Sequence, residues 1–209
     1  MAEAASLSLP YPEAAVVAEG SLREQTLTLA SDLPERPLVL GGCCCAHMGA
    51  VEGLAARRGR IAVVWLDAHG DLNTPQTSPS GDEWGMPLRA VIDSGAVVAD
   101  DVALVGTRNL DAEEKEFISA SALHTGFDGA AAALAGTDGV YVAVDCDVLA
   151  SDEIAVFKPE PGGLALREVE ELLRSVRGRA KVLGAGFSGL VSKPTNVEPV
   201  TRLCAALGL

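Results

Sequence analysis

Three potential metal ligands lie within five positions of one another, about one third of the way along the chain. Asp67, His69 and Asp71 directly follow the apolar run at residues 63–66. Because alternate side chains of an extended strand share a face, these three side chains can converge on one point. Two carboxylates and an imidazole suit a divalent cation such as Mn, Fe, Co or Zn. An acidic turn that caps the next helix is the simpler interpretation of this segment alone.

A second acidic pair favours the metal site over the turn. Asp145 and Asp147 follow another apolar run, residues 141–144, and are again two positions apart. Proteins built on parallel sheets place their sites at the carboxyl ends of the strands. The two acidic strand ends therefore predict one metal cluster at that edge of a sheet.

The elements that would hold this cluster follow from the alternation of apolar runs and amphipathic segments. Strands are expected at 37–40, 61–66, 102–105, 140–144 and 181–185, and helices at 46–57, 87–94, 112–118, 130–135, 166–176 and 197–207. This alternation predicts an α/β fold, with three αβα layers around a mostly parallel central sheet. At 209 residues, the chain is expected to form a single domain over 1–209.

Composition restricts the partners and the compartment. A net charge of −13 disfavours nucleic acid and favours metal ions or a small cationic substrate, although ordinary acidic solubility is an alternative. No apolar run is long enough to span a membrane, and residues 1–15 do not resemble a signal peptide. Five cysteines, three of them adjacent at 43–45, favour a reducing cytoplasm over a disulfide framework. The oligomeric state stays open.

Together, the motifs resemble those of the ureohydrolase family, which includes arginases and agmatinases. The family pattern is GGDHS, DAHxDxN, HGxP, DxDxxDP and PGG, in that order. In this chain the matching segments are GGCCC at 41–45, DAHGDLN at 67–73, WGMP at 84–87, DCDVLAS at 145–151 and PGG at 161–163. The resemblance runs from residue 38 to the C-terminus, so 1–37 is expected to be a divergent or shortened N-terminal part.

The resemblance implies two divalent ions, with Mn²⁺ as the first choice, that share a bridging hydroxide. The hydroxide would attack the trigonal carbon of a guanidino or amidino substrate and cleave a linear C–N bond. Asp67 and Asp145 would bridge both ions. Asp71 would complete one site and relay the proton of the nucleophile, and His69 with Asp147 would complete the other.

Two positions depart from the family pattern at the reactive end. Cys44 stands where the family has a histidine ligand, and its thiolate would favour Zn²⁺ or Fe²⁺; a small packing residue is the alternative. Trp84 replaces the HGxP histidine, and an indole cannot transfer protons near neutral pH, although it can stack on a guanidinium or simply pack. Segment 184–190 also lacks the carboxylate that grips the guanidinium in arginases and agmatinases. His47 is a weaker candidate ligand, expected one helical turn away.

The amino-acid end of the family's substrate pocket is better preserved. Asn73, Ser78 and Ser80 match arginase positions that bind the α-carboxylate, and Asp82 stands where arginases have an asparagine. Asp111 matches an acid that binds the α-amino group, and it could instead cap the helix at 112–118. An intact anchor with an altered reactive end favours a modified guanidino amino acid over L-arginine.

Two other functions remain in view. The departures are also typical of a catalytically weak family member that binds metal and has a regulatory role. The third interpretation is a single-metal hydrolase of the histone-deacetylase type, which shares the fold and holds a lone Zn. Such enzymes use a histidine pair for acid–base chemistry, and the sequence has no adjacent histidines.

Overall fold

A parallel sheet forms the centre of the protein. The computed structural model describes residues 4–18 and 20–209, and within these residues six strands pair in the order β1-β6-β5-β2-β3-β4. The strands are β1 Leu38–Leu40, β2 Ala62–Leu66, β3 Val102–Val105, β4 His124–Thr125, β5 Val140–Asp145 and β6 Val182–Ser188. Every pairing in the sheet is parallel, which confirms the expected central sheet.

Seven α-helices accompany the strands in the described part of the chain. They are α1 Leu22–Asp32, α2 Ala46–Arg58, α3 Pro87–Asp93, α4 Ala112–Ala120, α5 Gly126–Ala133, α6 Leu166–Arg179 and α7 Val197–Leu207. Each predicted helix is present, although α5 begins four residues before the predicted start at 130. None of the described helices is long and apolar enough to cross a bilayer.

Two elements were not predicted from the sequence. Helix α1 buries only Thr26. It therefore has no buried apolar face whose helical spacing the sequence analysis could detect. Its start is instead marked by a capping box, in which the Ser21 backbone amide donates to Glu24 Oε2 at 2.7 Å. Strand β4 has only two residues and pairs with β3 at the sheet edge. It includes His124, whose Nε2 lies 3.3 Å from Asp100 Oδ1.

The sheet separates two apolar cores. Along β2, Ala62, Val64 and Leu66 pack into the core that contains buried residues of α5, α6 and α7. The alternate residues, Val63 and Trp65, pack into the core with buried residues of α2 and α3. Because successive side chains of a strand point to opposite faces, one apolar strand serves both cores. This arrangement confirms the three-layer αβα architecture.

Parallel pairing brings the ends of four strands to one edge. Leu66 of β2 pairs with Val144 of β5, so the residues that follow them are neighbours. Asp145 pairs with Ser188 at the end of β6. Leu40 of β1 pairs with Phe187, and the chain after β1 leads to Cys44. The acidic strand ends therefore meet at this edge, as the sequence predicts.

Candidate metal centre

One cavity at the carboxyl edge of the sheet contains every site residue nominated from the sequence except the weaker candidate His47. Its volume is about 220 Å³. The twelve nominated residues that line it are Cys44, Asp67, His69, Asp71, Asn73, Ser78, Ser80, Asp82, Trp84, Asp111, Asp145 and Asp147. Residues outside that set also line it, including Asn109, Glu114, Phe157 and Lys158. The structure thus brings together segments separated by more than one hundred residues in the sequence.

Asp67 lies between two groups of potential ligands. Its carboxylate is almost fully buried, and it accepts a hydrogen bond from the Trp65 indole at 3.3 Å and from the His69 backbone amide at 2.7 Å. Within the described residues, one ligand group is Cys44, Asp67 and Asp71, and the other is Asp67, His69 and Asp147. In each group the ligand atoms lie within 4.8 Å of one another. The two groups share Asp67 and separate Asp71 from His69 and Asp147, whereas Asp145, expected to bridge both ions, belongs to neither group.

Asp145 lies beside the first group. The Cys44 thiol donates to Asp145 Oδ2 at 2.9 Å, and the Ser188 hydroxyl donates to the same oxygen at 3.1 Å. The other oxygen accepts from the Asp147 backbone amide at 2.9 Å. Gly189 has a φ of 74°, and a Cβ there would lie 2.5 Å from Asp145 Oδ1. Only glycine therefore lets the chain after β6 pass this close to the carboxylate.

His69 is oriented by carboxylates on both sides of its ring. Nδ1 lies 3.1 Å from Asp147 Oδ2 and 3.3 Å from Asp67 Oδ1. Nε2 lies 3.2 Å from Glu160 Oε1, which also accepts from Asn109 Nδ2 at 3.3 Å. If Glu160 accepts the Nε2 proton, the lone pair of Nδ1 is directed toward the ligand group, as in carboxylate–histidine–metal arrangements.

Asp71 has the features of a carboxylate built for a cation. Its φ is 53°, a left-handed conformation that is uncommon for a residue other than glycine. Its Oδ2 is buried and has no hydrogen-bond partner in the parts of the chain that the structure describes. A buried carboxylate oxygen without a donor is costly, because its hydration is lost and nothing replaces it. A divalent cation would supply the missing partner.

Glu114, on α4, holds the turn that carries Asp71. Its Oε1 accepts from the Leu72 backbone amide at 3.0 Å, and its Oε2 accepts from the Asp111 amide at 2.9 Å. A Cβ at Gly70 would lie 2.6 Å from Glu114 Oε1, which explains the glycine of the DAHGD motif. The sequence analysis missed Glu114 because its contact with residues 70–72 depends on the packing of α4.

The electrostatics of the centre also fit divalent cations. Burial, followed by the charges of Asp67 and Asp147, raises the pKa of Asp145 to about 8. Burial and neighbouring carboxylates also raise the pKa of Asp71 well above its usual value. Burial alone would lower the pKa of His69, but its hydrogen bonds to Asp147 and Asp67 outweigh this and raise it to about 11. Such a cluster stabilises positive charge, so the residues fit a pair of divalent ions.

His47 lies behind the centre and belongs to neither ligand group. It is fully buried, with Nε2 at 3.2 Å from Ser188 Oγ and Nδ1 at 3.0 Å from the Tyr141 hydroxyl. Burial lowers its pKa to about 3, so the ring is neutral at physiological pH. Ser188 Oγ in turn lies 3.3 Å from Cys44 Sγ. His47 thus supports Ser188, a contact residue that sequence reasoning missed because the predicted strand ended at 185 and β6 continues to Ser188.

The nominated substrate residues form hydrogen bonds among themselves. Asn73 Nδ2 donates to Asp111 Oδ2 at 2.8 Å. Ser78 Oγ accepts from the Gly81 amide at 3.0 Å, and Ser80 Oγ accepts from the Asp82 amide at 3.1 Å. These bonds shape the loop that forms one wall of the cavity.

Two further nominated residues lie at the boundary of the cavity. Asp111 occupies the N-cap position of α4, the structural role that the sequence left open. Trp84 is 43% exposed and lines the same cavity. An exposed indole on the wall of an acidic cavity presents a face on which a flat cationic group can stack.

The αβα fold and the buried acidic cluster at the carboxyl edge of its sheet place the chain among α/β proteins with a candidate site at that edge. The chain belongs to the arginase family: the model described as "Arginase family" matches residues 10–192. The match begins well before residue 38, where the sequence motifs begin. Membership of the ureohydrolase superfamily, expected from the motifs, is therefore confirmed.

Individual relatives agree with this membership. The arginase of Bacillus caldovelox is 36% identical over 159 residues, which cover 63% of this chain and 53% of that protein. The crystal structure of the arginase of Bacillus subtilis subsp. subtilis str. 168 has a TM-score of 0.83 at 26% identity, covering 90% of this chain and 78% of that one. Proclavaminate amidino hydrolase of Streptomyces clavuligerus has a TM-score of 0.70 at 26% identity, covering 88% and 66%. The chain thus spans about half the length of the curated relatives it matches.

Proposed function

We propose that this protein is a metal-dependent hydrolase that cleaves a linear C–N bond of a guanidino or amidino compound. The observation that carries the proposal is the pair of ligand groups that share Asp67 in one cavity of an arginase-family fold. Relatives named as an arginase and as an amidino hydrolase support the same class of reaction.

The cavity residues divide into two cation sites. Asp67 and Asp145 would contact both ions, Cys44 and Asp71 would complete one site, and His69 with Asp147 would complete the other. The carboxylates favour Mn²⁺, whereas the Cys44 thiolate favours Zn²⁺ or Fe²⁺. When bound, two such cations would acidify a shared water molecule enough to give a nucleophile at neutral pH.

The protein's own groups would position the substrate and move the proton. Asp71, to which the family resemblance also assigns proton relay, would accept the proton of the attacking water. The acidic cavity favours a small cationic substrate, and the Trp84 face can stack on a planar guanidinium. Trp84 cannot protonate a leaving group, so a modified guanidine with a better leaving group should react faster than L-arginine.

The test combines metal analysis with a screen of guanidino compounds. Protein purified without chelator should contain divalent metal and should release urea, or the analogous product, from at least one guanidino or amidino compound. We expect weak activity on L-arginine, still weaker activity on agmatine, and greater activity on an N-hydroxy form of arginine. Asp71→Asn should abolish turnover, whereas Asp32→Asn, an exposed change of the same kind on α1, should not.

A catalytically weak, metal-binding family member with a regulatory role is the second candidate. Three departures from the family pattern favour it. Cys44 stands at the histidine position and Trp84 at the proton-transfer position, and segment 184–190 has no carboxylate. Full metal occupancy without turnover of any guanidino or amidino compound would favour this candidate over the hydrolase.

A further inference from the structure

One positive side chain lines the otherwise acidic cavity. Among the described residues that line it, seven are carboxylates: Asp67, Asp71, Asp82, Asp111, Glu114, Asp145 and Asp147. Lys158 is the single lysine or arginine in that set. It is exposed, and it forms no ion pair or hydrogen bond with any residue in the described part of the chain. Its ammonium is therefore available to a ligand.

The backbone around Lys158 is fixed to the metal centre on both sides. The Phe157 amide donates to the Gly189 carbonyl at 3.0 Å, and Gly189 packs against Asp145. Two residues after Lys158, the Glu160 carboxylate contacts His69 Nε2 at 3.2 Å. The Arg108 guanidinium also donates to the Glu160 carbonyl at 3.0 Å. Lys158 is thus an exposed charged side chain on an anchored segment.

The rim beside Lys158 is apolar. Phe157 is 50% exposed and Trp84 is 43% exposed, and both line the cavity. Exposed aromatic side chains at a cavity mouth can cover the aliphatic part of a ligand whose charged head lies deeper. The floor of the cavity thus carries the buried acids that are candidate metal ligands. The rim carries the aromatic side chains and the Lys158 ammonium.

We propose that Lys158 is a specificity-determining residue that pairs with a carboxylate at the far end of the substrate. The inference rests on the proposed hydrolase function and names its substrate class as guanidino or amidino acids. Asn73, Ser78 and Ser80 already form hydrogen bonds with their neighbours, and none of them carries charge. An anionic tail entering an acidic cavity is repelled unless a cation meets it, so Lys158 decides the sign of the tail that is accepted.

The test uses three guanidino compounds with the same four-carbon chain. 5-Guanidinopentanoate ends in a carboxylate, agmatine in an ammonium and butylguanidine in hydrogen. Binding to the metal-loaded protein is measured by calorimetry, and turnover is measured separately. Wild-type protein should bind the acid most tightly. Lys158→Met should weaken binding of the acid alone by about fivefold, the factor expected for a partly exposed ion pair.

Charge reversal provides a second variant. Lys158→Glu should make agmatine the preferred ligand of the three. Lys181→Met is the matched control, since Lys181 is exposed and lies before β6, at the opposite end of that strand from the site. It should leave all three affinities unchanged.

The outcomes separate this inference from the proposed function. If the compounds bind but none is turned over, the proposed hydrolase function is contradicted. The relative affinities of the three compounds would then still decide the role of Lys158. Equal losses for all three compounds in Lys158→Met, or no preference of the wild type for the acid, would overturn the assignment of Lys158. Failure of all three compounds to bind would overturn both proposals.

Discussion

Replacing Asp145 by asparagine should separate the metal-binding role of this carboxylate from its structural role. Asp145 is buried and is proposed to contact both ions. Asparagine has nearly the same shape and keeps one acceptor for the hydrogen bonds from Cys44 and Ser188. It loses the second acceptor, which now serves the Asp147 amide. The variant therefore removes the charge with little change in packing.

The expected magnitudes follow from ligand linkage. An ion present at about 100 times its dissociation constant stabilises the native state by about 3 kcal/mol, so two ions give about 5 kcal/mol. For a protein of this size each kcal/mol raises Tm by about 2 to 4 °C, which predicts a shift of about 10 to 20 °C in the wild type. Asp145→Asn should lose most of this shift.

In chelator the same variant should behave differently. One lost hydrogen bond costs about 1 kcal/mol, and removal of one charge from the buried acidic cluster offsets that cost. The metal-free variant should therefore melt within about 3 °C of the metal-free wild type. A Tm far below this would mean that Asp145 is needed chiefly for folding.

Scanning calorimetry with Mn²⁺ or with chelator, together with metal analysis, measures both quantities. Asp32→Asn on α1 is the matched control, because Asp32 is exposed and lies outside the cavity. It should keep the full metal-dependent shift. If Asp145→Asn retains wild-type metal content and the wild-type shift, Asp145 is no ligand and the two-ion arrangement is wrong.

Three further variants test other parts of the structure. Cys44→His should move metal preference from Zn²⁺ towards Mn²⁺ in competition assays. Bound metal should protect Cys44 of the wild type from alkylation. Equal labelling with and without metal would show that the thiol is not a ligand. Glu160→Gln should weaken metal binding about tenfold by chelator competition while leaving metal-free stability unchanged, since Glu160 orients His69. Glu170→Gln should lower the free energy of unfolding at pH 7 by about 1 kcal/mol, as measured by urea unfolding. Glu170 Oε1, on α6, accepts a hydrogen bond from Arg202 Nε, on α7, at 2.7 Å. Hydrogen bonds from Arg202 lower the pKa of Glu170. Its stabilising contribution is therefore present above the unfolded pKa and is lost as pH falls through the folded value, so wild type and variant should converge in acid.

The sheet could be predicted because its strands are apolar runs with polar ends. Residues 63–66 and 140–144 are buried on both faces, and each leads directly into a pair of acids. Parallel pairing then requires those acids to meet at one edge. Helix α1 and strand β4 lack such signals, since α1 buries one residue fully and β4 has two residues. Strand β4 depends on tertiary packing, whereas the start of α1 carries a local signal, the Ser21–Glu24 capping box, that the sequence analysis did not use.

The same distinction applies to the site. Asp67, His69 and Asp71 are close in sequence, so strand geometry predicts that they share a face. Glu114 and Glu160 contact the same motif from 42 and 91 residues away. Neither lies in a pattern that identifies a ligand or a supporting group, so their roles depend on how α4 and the loop before the PGG segment fold back onto the sheet. Sequence reasoning nominated the candidate ligands and missed Glu114 and Glu160, which contact the motif that carries them.

The floor and the rim of the cavity are held by different interactions, and this has a consequence for specificity. The floor carboxylates Asp67 and Asp145 lie at the ends of buried central strands, where a shift would disturb both apolar cores. The rim residues Trp84 and Lys158 lie outside the α-helices and strands and are exposed, so replacing them disturbs little packing. Rim substitutions should therefore change which substrate tail is accepted while metal content stays constant. If the floor acts on a guanidinium or amidinium carbon, as proposed, the same floor can serve substrates whose opposite ends differ in charge.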